Sequence, residues 1–157
     1  PVRLIETTVA VNDARKKSMA DRVSEAVGGD LARKTVAVLG LTFKPNTDDM
    51  RDAPSLDVIP ALVKAGAEVK AFDPEGMHEA KTLLPDITYC DGPYQAVEGA
   101  DVVVILTEWD QFRALDLGRI KSLVKAPVMV DLRNIYRART MEALGYRYLS
   151  IGRGHRH

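Results

Sequence analysis

The sequence predicts an α/β domain built on a Rossmann-like, doubly wound parallel sheet of about six strands, in the order 3-2-1-4-5-6. Three observations carry this expectation. Strand-like and helical stretches alternate from Lys34 to the end of the chain. The runs TVAVLG from Thr35 and DVVVILT from Asp101 are apolar almost without alternation, as in strands covered on both faces. The unusual side chains gather in the segments that follow strands, where open parallel sheets bind their ligands.

Taken in order, residues 4–27 read as one long helix, with Leu4, Ile5, Val9, Met19, Val23, Ala26 and Val27 roughly on one stripe. Its middle, NDARKKS from Asn12, is highly polar, and Gly28 with Gly29 supplies a stop. A weak stripe ahead of the first strand suits a connector or an interface better than a core element. Residues 1–30 are therefore read as a connecting segment and 31–157 as the domain. The strand runs are TVAVLG, EVKAFD from Glu68, a short ITYC from Ile87, DVVVILT, PVMVDL from Pro127 and YRYLSI from Tyr146. Helices are expected from Pro54 to Ala65, Gly76 to Leu84, Tyr94 to Val97, Trp109 to Val124 with a break near Asp116, and Thr140 to Leu144. The first of these has a readable start, with Asp52 or Ala53 at the cap and Pro54 in the first turn, and Gly66 closes it. Pro60 inside it removes the bond to the Leu56 carbonyl and should bend the axis.

Composition narrows the function classes. Lys plus Arg and Asp plus Glu both number 22, which argues against nucleic acid as the main partner. Cys90 stands alone among 157 residues, so there is no internal disulfide and no cysteine-based zinc site. No apolar run approaches the ~18 residues that span a bilayer, and the N-terminus lacks a secretory pattern. A cytoplasmic protein with no membrane contact and no resident metal is the expectation.

The winding of the sheet places the ligand crevice between LTFKPNTDDMR from Leu41 and EWDQF from Glu108, with RNIY from Arg133 alongside. The first of these loops fails the dinucleotide fingerprint. Gly40 is present, but Thr42 and Pro45 stand where the second and third glycines belong. Asp73 occupies the place of a ribose-binding acid, yet before Pro74 it reads equally well as a turn former. Other means of holding a nucleotide are present. Phe43 offers a stacking face, Lys44 a point charge for phosphate, and Arg51 a forked donor near a helix start. Each has a plainer alternative: core packing for Phe43, a solvated loop lysine for Lys44, and for Arg51 an ion pair with Asp48, Asp49 or Asp52.

GLTFKPNTDDMRDAPS from Gly40, FDP from Phe72, TEW from Thr107 with Phe112 following, and DLRNIY from Asp131 together resemble the UDP-glucose/GDP-mannose dehydrogenase family at its C-terminal UDP-binding domain. The opening helix, with Asn12 and Asp13, resembles the family's segment leading from the central helix. TEW and DLRNIY look most like the UDP-glucose 6-dehydrogenase branch. The resemblance implies an NAD-dependent oxidation of the sugar C6 alcohol to a carboxylate, through intermediates on a cysteine. It also implies a homodimer built on the central helix, and a UDP-sugar held between this domain and an N-terminal one that binds most of the NAD. It assigns Phe43, Lys44 and Arg133 to the UDP-sugar and Arg51 to NAD across the cleft. Thr107, Glu108 and Trp109 would be mainly structural, with Trp109 as a packed wall.

No catalytic residue is expected in the chain itself. The family's cysteine motif has no counterpart, and Cys90, which follows a short strand without a basic neighbour or clear helix N-terminus, reads as a packed or idle thiol. His78 falls on a surface helix and His155 and His157 in a basic tail, poor places for a general base. The chain is therefore expected to be the UDP-sugar-binding part of a larger enzyme, without activity alone. The alternatives are a free-standing nucleotide-binding or regulatory module and a small NAD-binding domain.

Overall fold

The computed structural model describes residues 19–150. The expectations for residues 4–18, Asn12 and Asp13, and for His155 and His157 lie outside the described residues. Six strands form one parallel sheet: β1 (Thr35–Leu39), β2 (Glu68–Phe72), β3 (Thr88–Tyr89), β4 (Val102–Ile105), β5 (Val128–Asp131) and β6 (Arg147–Ser150). Their order is β3-β2-β1-β4-β5-β6, the order expected from the alternation of elements.

Helices cover both faces. On one lie α1 (residues 19–26), α2 (Ser55–Lys64) and α3 (Met77–Leu83); on the other α4 (Pro93–Val97), α5 (Asp110–Arg113), α6 (Leu117–Leu123) and α7 (Ala138–Ala143). The continuous apolar runs follow from this. In β1, Val36 and Val38 face the first layer while Ala37 and Leu39 face the second, and β4 divides Val102 and Val104 from Val103 and Ile105 in the same way. All eight are fully buried. Each large apolar side chain so buried contributes roughly 1.5–3 kcal/mol, more than a typical exposed ion pair at about 0–1 kcal/mol. The strands therefore set the frame on which the loops are held.

Several boundaries differ from expectation. The described end of the opening helix is core rather than connector: Met19, Ala20, Val23 and Ala26 are buried, and Met19, Val23 and Ala26 share one hydrophobic cluster with Val36, Leu41, Met50 and Val58. Gly28 and Gly29, both at positive φ, then end it. The cap of α2 falls on Pro54, not on Asp52 or Ala53, and Asp52 takes a left-handed φ of 58°. At its other end, Gly66 N–H donates to Val63 O and Ala67 N–H to Leu62 O, the paired bonds of a glycine-closed helix. Helix α2 continues through the exposed Pro60. The expected break at Asp116 is a true cap, whose side chain accepts from Arg119 N–H at 3.0 Å. Among the described residues no helix is long and apolar enough to cross a membrane.

Candidate functional site

The winding reverses between β1 and β4, which pair with Leu39 opposite Ile105. Beyond this pair the chain turns at Gly40, with φ of 95°. A Cβ there would lie 2.6 Å from both Cβ and the backbone nitrogen of Thr107. The glycine survives from the fingerprint because the next strand end, rather than a pyrophosphate, crowds it. Thr107 in turn donates its hydroxyl to the Thr42 carbonyl at 2.7 Å, and Ser55 at the start of α2 donates to the Leu41 carbonyl at 2.6 Å.

Asp73, at the end of β2, ties these loops together. It is fully buried. One carboxylate oxygen accepts from Leu41 N–H at 2.7 Å, Thr42 N–H at 3.1 Å and Trp109 Nε1 at 3.2 Å. The other accepts from Glu75 N–H at 2.9 Å and Gly76 N–H at 2.7 Å. With both oxygens so engaged, Asp73 has no place for a ribose hydroxyl. The turn-former reading of Asp73 holds, and its cross-loop role is an addition. Asp131, at the end of β5, repeats the device: it is buried and accepts from the backbone N–H of Arg133, Ile135 and Tyr136 and from the Tyr148 hydroxyl.

On this braced base the four candidate residues take distinct positions. Phe43 N–H donates to the Asp49 carbonyl at 3.0 Å, which pinches residues 44–48 into a projecting finger that turns through Asn46 at φ of 65°. Phe43 is 45% exposed, so the core-packing alternative fails. Lys44 is exposed at the base of the same finger. Arg51 is paired with Asp49, Nε to Oδ1 at 3.1 Å and Nη2 to Oδ2 at 3.2 Å. Of its three candidate acids, it is Asp49 that Arg51 meets, with the arginine side chain 89% exposed. The guanidinium holds the Asp49 carboxyl below its usual range by hydrogen bonding, and the same contact raises Arg51. Arg133 lies half-buried against Glu108, a partner not foreseen from the sequence. Trp109 is a buried wall, as the motif resemblance implied.

Contacts join the loops of β1, β4 and β5 into one surface. Thr42 meets Thr107, Trp109 meets Asp73, and Glu108 meets Arg133. A depression of about 660 Å³ opens on the outer flank of the first loop, lined in part by Asp48, Asp49, Arg51 and Glu79. Three carboxylates against one guanidinium make it a poor seat for a diphosphate, and neither Lys44 nor Arg133 lines it. Cys90 is buried and burial pushes its thiol up, which suits packing rather than nucleophilic attack. His78 is exposed on α3. Among the described residues no cluster of three or more His, Cys, Asp or Glu is placed to hold a metal ion.

Known proteins share this chain's pattern. It is 56% identical over 153 residues to the UDP-glucose 6-dehydrogenase of Rhizobium meliloti (strain 1021), covering 98% of this chain and 35% of that protein. It is 42% identical to UDP-glucose 6-dehydrogenase TuaD of Bacillus subtilis (strain 168), over 98% of this chain and 33% of that one. The chain thus spans about a third of the length of these curated relatives. Among solved structures, a UDP-glucose dehydrogenase from the hyperthermophilic archaeon Pyrobaculum islandicum superposes with a TM-score of 0.73 at 32% identity, over 85% of this chain and 29% of that one. A sequence profile of the UDP binding domain of the UDP-glucose/GDP-mannose dehydrogenases matches residues 37–138, the span that holds the glycine turn, Asp73, the Trp109 wall and the Arg133 loop. The chain belongs to the UDP-glucose/GDP-mannose dehydrogenase family, and this is its UDP-binding domain.

Proposed function

We propose that this domain holds the UDP portion of a nucleotide sugar for an NAD-dependent UDP-glucose 6-dehydrogenase, on the surface made by residues 41–51, 107–109 and 133–136. The observation that carries the reading is the exposed Phe43–Lys44 pair beside a rigidly cross-linked strand edge. An exposed aromatic ring is costly in water, and stacking on a flat base recovers that cost. Lys44 supplies a compact charge for the diphosphate, and Pro45 disfavours a helical backbone at Lys44. Arg133, from the neighbouring strand end, lines the same cleft. Residues 1–30 lead into the binding domain of 31–157, with their described end packed into its core, and the remainder of the enzyme supplies the oxidation of UDP-glucose to UDP-glucuronate and the dimer contacts. A cytoplasmic location and a place in polysaccharide precursor synthesis belong to the same proposal.

The residues here do not fit a complete NAD site. Thr42 and Pro45 replace two fingerprint glycines, the turn at Gly40 is filled by Thr107, and Asp73 is consumed internally. In this reading Arg51 offers a single charge towards NAD held on another domain, and no chemical step is assigned to this chain.

Calorimetric titration of UDP into the chain and into its Lys44→Ala variant tests the reading. The variant should bind roughly tenfold more weakly, as for loss of one charge-assisted contact. Its affinity should also depend less on salt. Equal affinities and equal salt dependence would remove Lys44 from the site.

A further inference from the structure

We propose that Glu108 positions Arg133 for its ligand, and that the resulting pair selects an uncharged oxygen acceptor of the nucleotide sugar, a hydroxyl or a carbonyl, over a phosphate. The proposal rests on the reading of the site given above. Strands β4 and β5 run side by side with Ile105 opposite Asp131, so Glu108 and Arg133 rise from neighbouring strand ends. Glu108 Oε2 accepts from Arg133 Nε at 2.8 Å and lies 2.6 Å from Nη2. The backbone below is fixed as well: Arg133 N–H donates to Asp131 Oδ1 at 3.0 Å, and the following Asn134 takes a left-handed φ of 58°.

Two consequences follow from guanidinium geometry. Arginine has five N–H donors in a rigid plane. With the Nε–Nη2 edge on Glu108, the edge between Nη1 and Nη2 is the one presented to a ligand, and Glu108 sets its direction. The second consequence concerns charge. The two side chains are 31% and 26% exposed, so the carboxylate offsets the guanidinium with less screening than at an open surface. A phosphate gains little from such a pair, whereas a neutral oxygen gains two aligned donors. Lys44 carries the charge recognition. The Arg51–Asp49 pair differs, because the 89% exposure of the Arg51 side chain leaves it free to reorient.

The test titrates UDP-glucose, UDP and inorganic pyrophosphate separately into the chain and into Arg133→Ala and Glu108→Gln, following amide and arginine Nε–H signals by NMR. Arg133→Ala should weaken UDP-glucose by about tenfold and leave pyrophosphate unchanged. Glu108→Gln should move the Arg133 Nε–H signal, weaken UDP-glucose several-fold and strengthen pyrophosphate, because the guanidinium charge is no longer offset. A purely structural glutamate would not produce that gain. Glu108→Asp keeps the charge and shortens the reach, so it should weaken UDP-glucose without the pyrophosphate gain, and it serves if the glutamine variant folds poorly. Loss of pyrophosphate binding in Arg133→Ala would make Arg133 a phosphate ligand and overturn the proposal. Unchanged affinities and an unmoved Nε–H signal in Glu108→Gln would overturn it too, while leaving the UDP site intact. If the unaltered chain binds no UDP-glucose at all, the proposed function fails and this inference fails with it.

Discussion

Replacing Gly40 with alanine is expected to bring the domain to the edge of unfolding. Two costs add. A non-glycine residue at φ of 95° is strained by about 1–2 kcal/mol. The new Cβ would lie 2.6 Å from Thr107 Cβ and from its backbone nitrogen, and a strand end buried on both faces cannot move aside cheaply, so overpacking adds about 1–3 kcal/mol. A total of roughly 2–5 kcal/mol is a large share of the ~5–15 kcal/mol that ordinarily holds a domain together. Gly28 supplies the control. Its φ is 93°, but a Cβ there meets nothing within 4 Å, so Gly28→Ala carries the strain alone. Thermal unfolding should show a drop of about 2–4 °C per kcal/mol for a chain of this size. The expected result is a small shift for Gly28→Ala and a shift roughly two to three times larger, or no folded state, for Gly40→Ala. Equal shifts would mean that the Thr107 contact does not matter.

Asp73→Ala should cost as much or more. The carboxylate accepts from the N–H groups of Leu41, Thr42, Glu75 and Gly76 and from Trp109 Nε1. A buried donor left without an acceptor costs about 1–3 kcal/mol. Even if water reaches the exposed Glu75 and one other donor, about 4 kcal/mol is expected to remain. Asp73→Asn retains the shape but has one acceptor oxygen, so it can serve only one of the two donor sets and should fall between alanine and the native residue. Trp109 is the sole tryptophan, so its fluorescence in a denaturant titration reports on this junction directly. The alanine variant should lose stability and shift the native emission as the indole N–H loses its partner. Native stability with an unchanged emission would show that Asp73 does not tie the three loops.

The architecture was largely legible because it rests on patterns that are local in the chain. Continuous apolar runs at β1 and β4 imply coverage on both faces, and helical stretches between them imply parallel crossovers. The site was legible only as far as residue types speak for themselves. Pro45 and the surrounding polar residues mark a loop, which made Phe43 and Lys44 candidates, but the residues alone left core packing open for Phe43 and a solvated side chain open for Lys44. The partnerships were not legible, since they join distant segments. Asp73 meets Leu41 and Trp109 across 32 and 36 residues, and Glu108 meets Arg133 across 25. Spacing carries no signal for such pairs. For Arg51 the difficulty was a surplus of nearby acids. Asp49 wins because its carboxylate already accepts the Arg51 backbone N–H at 2.9 Å, which turns the side chain towards it. The burial of α1 was hidden for a related reason: the Met19, Val23 and Ala26 stripe is weak when averaged over the polar sequence of residues 4–27, yet sufficient for the two described turns that join the core.

In the proposed function, the loops beyond β1, β4 and β5 form one UDP-sugar surface. Mapping amide shifts by NMR while UDP-glucose is added to the chain tests it most directly. The expected result is a set of moved signals confined to residues 40–51, 107–109 and 133–136, saturating together with a single affinity. Movement centred instead at the opposite ends of the strands, where Lys34, Asp101 and Arg147 line a separate cavity, would rule this surface out, as would the absence of any moved signal.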